Sequence, residues 1–299
     1  MRETLRYLLG VAGPSGFGSS CTGEQVTQDI YCSNPSTLTA IITELVIICM
    51  NITLVSVIEG ATSGIGAETA RVLAKRRLRL VIPARDLKRA AEVKDWIQGE
   101  SPEAEIILME MDLSSFASIN RFCSMFLSLG LPLNILVNNA GKYCKKLQLT
   151  EDKFEMTFAT NYLGNFNGTQ AYAHSKLANI MHAKELARRL RGRNAMVTIN
   201  AVHPGVVKTG IIRDHKGLIT DSVFFLASRL LKSTSQGAST TCYVALSPQL
   251  IGVSGKYFVD CNESSCSSLA GNEFEARTLW QKTHALVRDH VRQTRRAKN

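Results

Sequence analysis

Short apolar runs alternate with amphipathic stretches along most of the chain, and this alternation restricts the possible folds more than any other feature. Six runs predict strands: ITLVSVI (52–58), LRLVIPAR (78–85), EIILMEM (105–111), NILVNNAG (134–141), MVTINAVHPG (196–205) and GKYFVD (255–260). Helical patterns at 68–77, 88–98 and 115–128 separate the first four. Because strands that alternate with helices indicate βαβ units, we expect an α/β fold with a doubly wound parallel sheet and helices on both faces.

Length and composition fit one domain with extensions at both ends. Of the 299 residues, 45% are hydrophobic and 20% are charged, which permits a sizeable core. We expect an N-terminal extension over 1–35, one domain over 36–285 and a basic tail over 286–299. The formal charge of +10 is dispersed outside that tail, so nucleic acid is not an expected partner. The eight cysteines form no CxxC pair, and we expect reduced thiols and no metal site.

The apolar stretch from Leu38 to Ile58 has two interpretations. Its length fits a membrane span. However, its end (52–58) is rich in β-branched residues and stands directly before a glycine turn, which favours a sheet strand.

The sequence GATSGIG, from Gly60 to Gly66, follows this predicted strand and opens a helix. Glycines let the turn close and let the backbone approach a pyrophosphate, whose charge is favoured by the helix N-terminus. An ordinary tight loop is the alternative. The strand before the loop and the helix after it favour a dinucleotide site.

Polar residues stand where three further predicted strands end. Arg85 follows one strand at a position where a basic residue can hold the 2′-phosphate of NADP, whereas an acidic residue would hold the ribose of NAD. Asp86 comes next and keeps that choice open. Asp112 and the segment 138–141 follow the next two strands, at the sheet edge where open α/β proteins bind ligands. A solvated arginine and simple turn chemistry are the alternatives.

Two later motifs provide candidate chemistry. Tyr172 and Lys176 are four residues apart in a helical pattern, so their side chains share one face. An ammonium near a phenol favours the phenolate, so we expect the pKa of Tyr172 to fall below its usual ~10, as suits a general acid or base. A surface helix pair is the alternative. The turn at 203–205 then leads to Thr209, a candidate partner for a cofactor amide or part of a simple loop.

Taken in order, these motifs resemble the short-chain dehydrogenase/reductase family over about 38–286. Three segments resemble its plant Tic32-like branch, which is related to retinol dehydrogenase-like enzymes: CTGEQVTQ (21–28), FATNYLGNF (158–166) and QGASTTCYVALSPQ (236–249). The resemblance implies a Rossmann-like fold. It also implies an oxidoreductase that moves hydride between NADP(H), in preference to NAD(H), and a carbonyl or alcohol substrate.

The resemblance also assigns roles to matching positions. It makes Tyr172 the acid/base, Lys176 the residue that holds the ribose and tunes Tyr172, and Asn161 the residue that orients the water of a proton relay. The glycines cradle the pyrophosphate, Asp112 and Asn139 frame the adenine and ribose side, and Thr209 meets the carboxamide. The full set of expected cofactor contacts is Gly60, Thr62, Ser63, Gly64, Ile65, Gly66, Arg85, Asp112, Leu113, Asn139, Ala140, Gly141, Tyr172, Lys176, Pro204, Gly205 and Thr209.

The chain departs from the family in two places. The family reads TAIITGATSGIG without a break, whereas here TAIIT ends at Thr43 and the glycine loop begins at Gly60. We interpret 44–59 as an insertion whose strand-like end replaces the first strand, with Glu59 in the place of the usual Thr.

The second departure lies between Asn161 and Tyr172, which are only eleven residues apart, and no serine occurs from Leu129 to His174. The family places a strand and a catalytic serine there. We therefore expect a sheet without one central strand. Because loss of one donor to the reacting oxygen costs ~10²–10³ in rate, we also expect weak or no turnover.

A non-catalytic role is the alternative function. The resemblance implies a chloroplast location, peripheral on the inner envelope, where the chain could act as a nucleotide-binding regulatory or import-associated protein; a cytoplasmic location is the other reading. The tail 286–299 is basic and partly amphipathic, which suits calmodulin, an anionic membrane surface or plain solvent. A homo-oligomer stays open, and the sequence does not identify the substrate.

Overall fold

The computed structural model describes residues 10–30, 39–40, 46–50, 56–58, 60–141, 148–152, 154, 168–208 and 231–296. The helices are α1 (Gly23–Thr27), α2 (Gly64–Lys75), α3 (Leu87–Glu100), α4 (Phe116–Ser128), α5 (Gly168–Arg191), α6 (Thr234–Leu246), α7 (Ser268–Gly271) and α8 (Glu273–Arg296). The strands are β1 (Thr39–Ala40), β2 (Val46–Met50), β3 (Ser56–Ile58), β4 (Arg79–Ala84), β5 (Ile106–Glu110), β6 (Ile135–Asn138), β7 (Val197–His203), β8 (Tyr257–Val259) and β9 (Asn262–Glu263).

The strands form two hydrogen-bonded ladders. In the first ladder, β4 pairs in parallel with β5 on one side and with β1 and β3 on the other, and β3 pairs in parallel with β6. In the second, β7 pairs in parallel with β8 and antiparallel with β2, and β9 folds back onto β8. β2 also contacts β6, so this strand joins the two ladders.

Alternate residues of β4 serve the two faces of the sheet, as the pleat of a strand requires. Leu80 and Ile82 belong to one cluster of buried side chains, whereas Val81 belongs to a second cluster with Phe122 and Phe126 of α4. Layers of helices therefore cover both faces. The α/β fold with a mostly parallel sheet is confirmed, and the predicted strands at 78–85, 105–111, 196–205 and 255–260 correspond to β4, β5, β7 and β8.

The position beside β7 is occupied, although the sequence predicts a missing strand. β2, which comes from the predicted insertion, pairs with β7 from Val46 opposite Ala201 to Met50 opposite Val197. It runs antiparallel, and no described residue forms a parallel strand there. Because unpaired backbone groups along a buried strand edge are costly, an apolar segment that can supply a ladder stabilises the sheet at this position.

The described residues of the apolar stretch 38–58 are strands, which favours the sheet interpretation of this stretch over the membrane interpretation. Among all described helices, none has both the length and the apolar character that crossing a membrane would require.

Both ends of the described chain pack against the domain. Glu24 of α1 forms an ion pair with Arg71 of α2 at 2.5 Å, and the Asn262 side chain bonds the backbone N–H of Ser15 at 2.9 Å. At the other end, α8 begins well before residue 286, so the predicted basic tail starts inside a helix. The Trp280 ring of α8 lies 4.8 Å from the His182 ring of α5, centroid to centroid.

Candidate functional site

The glycine loop between β3 and α2 lies directly against the residues that follow β6. Gly60 has a φ of 65°, a left-handed conformation that glycine adopts without strain. A Cβ on Gly60 would lie 2.9 Å from the Cα of Ala140, and a Cβ on Gly66 would lie 2.3 Å from Nδ2 of Asn139. Both distances are too short for real side chains. Only glycine at 60 and 66 therefore lets the loop approach β6 this closely.

A hydrogen bond from the Asn139 side chain stabilises the glycine loop in this position. The Asn139 Nδ2 donates this bond to the Gly60 carbonyl oxygen at 3.3 Å. The bond connects the turn after β3 with the end of β6, two neighbouring parallel strands. Their carboxyl ends meet at the edge of the sheet where ligands bind in open α/β folds.

The start of α2 offers backbone donors to an anion. Ser63 is the N-cap residue, and its side chain makes no capping hydrogen bond. The first N–H groups of a helix have no partner within the helix, and the aligned peptide dipoles add partial positive charge there. The glycine loop therefore leads into a helix end that can bind a phosphate group.

A pocket of about 200 Å³ lies beside this loop. It brings together residues from six separate parts of the chain: the start of α2, the end of β6, helix α5, the end of β7 with the turn after it, helix α6 and strand β8. From the sequence-predicted sites it includes Ile65, Asn139, Tyr172, Lys176, Pro204 and Gly205. It also includes residues that the sequence did not single out as cofactor contacts, among them Asn138, Thr241 and Tyr257. Asn138 was detectable because it adjoins Asn139, whereas Thr241 and Tyr257 carry no local signal.

Tyr172 and Lys176 lie on one face of α5, with the Lys176 Nζ 5.1 Å from the centre of the Tyr172 ring. The expected lowering of the Tyr172 pKa is wrong. Burial raises the pKa of Tyr172 above its usual value, and burial lowers the pKa of Lys176 to about 7. The reason is that desolvation disfavours both charged forms, the phenolate and the ammonium. Proximity alone, which is all that the spacing reveals, does not decide the direction.

The residues predicted to select the cofactor phosphate lie at the end of β4. Arg85 is exposed. The Asp86 side chain accepts hydrogen bonds from the backbone N–H groups of Lys88 and Arg89, at 3.1 and 3.2 Å, and so caps α3. Both bonds are accepted by Oδ1, and the Asp86 side chain is 55% exposed.

The remaining predicted residues fall into three groups. Asp112 accepts hydrogen bonds at 2.8 and 2.7 Å from the backbone N–H and hydroxyl of Ser114, just after β5, and Leu113 packs against the buried cluster beside α4. Thr62, Ser63 and Gly141 lie in the loops beside the pocket, and Gly64 is the first residue of α2. Asn161, Thr209 and Glu59 lie outside the described residues, so their predicted roles stay predictions.

No serine is among the described residues that line the pocket. Ser175 is close in sequence, but it is fully buried and its hydroxyl donates to the Tyr172 carbonyl oxygen at 2.7 Å. The hydroxyl groups that do line the pocket belong to Tyr172, Thr241 and Tyr257.

Comparisons with known proteins agree with this geometry. A family model described as short chain dehydrogenase matches residues 54–173. The chain is 38% identical to short-chain dehydrogenase TIC 32 B, chloroplastic, from Brassica napus, over 95% of this chain and 98% of that protein. It is 34% identical to retinol dehydrogenase 14 from Homo sapiens, over 77% of this chain and 85% of that protein. The crystal structure of a short chain dehydrogenase from Burkholderia cenocepacia in complex with NADP has a TM-score of 0.53 and 25% identity, covering 68% of this chain and 94% of that one.

The Brassica alignment extends over 335 residues, more than the 299 of this chain. The relative therefore contains residues that have no counterpart in this chain.

Substituting Gly66 by alanine tests the close approach of the loop. We expect Gly66→Ala to lower the free energy of unfolding by ~1–3 kcal/mol, since the added Cβ forces Asn139 and the Gly60 carbonyl apart. Chemical denaturation measures this directly. The matched control is Gly99→Ala in α3, where nothing lies within 4 Å of the new Cβ. It should stabilise the chain by ~0.5–1 kcal/mol. Equal effects of the two substitutions would contradict the proposed contact.

Proposed function

Because the chain belongs to the short-chain dehydrogenase family, we propose that it binds NADP(H) at the glycine loop and transfers hydride between the nicotinamide and a carbonyl or alcohol substrate, slowly. One observation carries this proposal: the glycine loop, Asn139, the Tyr172–Lys176 pair and the turn at 204–205 surround one pocket. These residues meet at the carboxyl edge of the sheet, where open α/β folds bind their ligands.

The residues fit a dinucleotide. The loop from Gly60 to Gly66 has no Cβ at the two positions where one would block the approach of backbone and Asn139. The start of α2 supplies backbone N–H groups for the pyrophosphate. At the adenosine side, we propose that Arg85, which is exposed at the end of β4, binds the 2′-phosphate that distinguishes NADP from NAD.

Bound NADPH would supply the hydride, and the chain would supply the proton. With its pKa raised by burial, Tyr172 keeps its proton at neutral pH. A protonated phenol suits donation to a carbonyl oxygen better than abstraction from an alcohol. We therefore propose that carbonyl reduction is the favoured direction. Lys176 lies on the same face of α5, where it can hold the ribose next to Tyr172.

The missing serine limits the rate. In the family this residue donates a hydrogen bond to the reacting oxygen, and removal of one such donor costs ~10²–10³ in turnover. The same observation favours a second candidate function, a nucleotide-binding regulatory role in which turnover is incidental. Both functions share the nucleotide site, so the first experiment addresses that site.

Titration with NADPH and NADH tests the cofactor proposal. We expect tighter binding of NADPH, and we expect Arg85→Ala to weaken NADPH binding by roughly tenfold to a hundredfold, the equivalent of ~1.5–3 kcal/mol for a charge-assisted hydrogen bond. NADH binding should not change. The control is Arg89→Ala, an arginine of α3 whose side chain is 72% exposed. Equal affinity of the wild-type chain for both nucleotides would refute the preference.

Turnover separates the two candidate functions. With NADPH and a panel of aldehydes and ketones, we expect a kcat about 10²–10³ below that of a family member with an intact serine assayed alongside. Tyr172→Phe should remove the remaining activity without loss of NADPH binding. Turnover equal to that of the intact member would show that the serine is dispensable here. No turnover in the presence of firm NADPH binding would leave the regulatory role.

We also propose a chloroplast location, because the Brassica relative named chloroplastic aligns with 95% of this chain. The basic end of α8, in which Arg288 is half exposed, is the part suited to an anionic membrane surface or calmodulin. A fluorescent fusion of the full chain should accumulate in plant chloroplasts. Fluorescence confined to the cytoplasm would contradict this location.

A further inference from the structure

We propose that Lys232 and Asp260 are positioning residues whose buried ion pair holds the turn at Pro204–Gly205 in the shape that nicotinamide binding needs. The inference rests on the proposed function and adds two residues to it. Neither residue lines the pocket itself. Both act through the turn, which does line it.

The Lys232 side chain packs closely against Gly205. Gly205 has a φ of 84°, in the left-handed region. A Cβ on this glycine would lie 2.9 Å from Cδ and 3.0 Å from Cε of Lys232. The aliphatic part of Lys232 therefore runs directly over the α-carbon of the turn, and a displaced Lys232 would leave the turn without support on this side.

The backbone of Lys232 is attached to the same segment. Its N–H donates to the Val206 carbonyl oxygen at 2.9 Å, and its carbonyl accepts from the Lys208 N–H at 3.1 Å. Lys232 thus contacts the turn through its main chain and through its side chain. An interaction that restricts the position of Lys232 therefore also restricts residues 204–208.

Asp260 restricts the position of Lys232 through an ion pair. The Lys232 side chain is only 4% exposed, and its ammonium forms an ion pair with Asp260, whose side chain is 17% exposed. A buried ammonium without a partner is strongly disfavoured. The pair therefore restricts Lys232 to the position in which its Nζ meets this carboxylate.

The turn that carries Asp260 is itself held in an unusual conformation. Asp260 and Cys261 connect β8 to β9 with φ values of 51° and 65°, which non-glycine residues rarely adopt. Two bonds stabilise it: the Cys261 N–H donates to Oγ1 of Thr240 at 3.2 Å, and Asn262 Nδ2 donates to the Asp260 carbonyl at 2.7 Å. Such conformations persist where the surrounding structure enforces them, and here the result is a carboxylate aimed at Lys232.

Both charges of the pair act on a residue of the pocket. The pKa of His203, which lines the pocket, is lowered first by burial and second by the Lys232 ammonium, whereas the Asp260 carboxylate raises it. His203 directly precedes the turn at 204–205. The ion pair is therefore close enough to the pocket to affect what binds there.

The test combines hydrogen exchange in the full chain without nucleotide with NADPH titration. We expect Asp260→Asn, Lys232→Met and the double variant to speed exchange of the amides at 206–208 by at least about tenfold. The same variants should weaken NADPH binding roughly tenfold to a hundredfold. The control is Glu263→Gln on β9, which breaks the Lys256–Glu263 pair, whose side chains are 47% and 53% exposed. It should change neither measurement.

The double variant separates positioning from mere stability. It contains no unpaired buried charge, so its melting temperature should return towards that of the wild-type chain while exchange stays fast and NADPH binding stays weak. Wild-type exchange and affinity in the double variant would overturn the proposal, even if a single variant fails to fold. If the wild-type chain binds no NADPH, the proposed function fails. Exchange at 206–208 alone then decides whether the pair holds the turn.

Discussion

The contact between the glycine loop and the end of β6 is the constraint on which the pocket depends. Because Gly60 and Gly66 lack a Cβ, the loop can lie against Asn139 and Ala140. This contact fixes where α2 begins relative to the sheet edge. Because α2 follows β3, and β3 pairs with both β4 and β6, the strands at the centre of the sheet determine where α2 begins. The Tyr172–Lys176 pair and the turn after β7 complete the pocket around it.

The loss of a segment that the sequence predicts before Tyr172 has different consequences for the fold and for the proposed chemistry. Antiparallel β2 restores a hydrogen-bonded neighbour for β7, so the sheet keeps its continuity. We do not expect β2 to replace the predicted serine-bearing loop in the same way. A parallel strand would end at the ligand-binding edge and lead into a loop there, whereas β2 begins at that edge, with Val46 opposite Ala201. The position is filled, but the loop that would present a serine to the substrate is not replaced by this strand.

Local patterns predicted much of this structure because local physics determines it. The strand–helix alternation, the glycine loop and the spacing of Tyr172 and Lys176 can all be read within a few residues. The pairing of β2 with β7 could not, since the partners are about 150 residues apart and the expected family order argues against it. The same holds for the Lys232–Asp260 pair, in which burial and the turn after β8 create the contact. For a related reason the sequence predicts the wrong direction for the pKa of Tyr172, because spacing reveals the nearby Lys176 side chain but not the burial that raises this pKa.

A crystal structure of the full chain grown with NADP would show whether the pocket beside the glycine loop is a nucleotide site. We expect one bound nucleotide, with its pyrophosphate at the start of α2 beside Gly64 and its nicotinamide between Tyr172 and the turn at Pro204–Gly205. We also expect β2 to remain antiparallel beside β7. Nucleotide bound elsewhere, or a nicotinamide that does not reach Tyr172, would rule out this site.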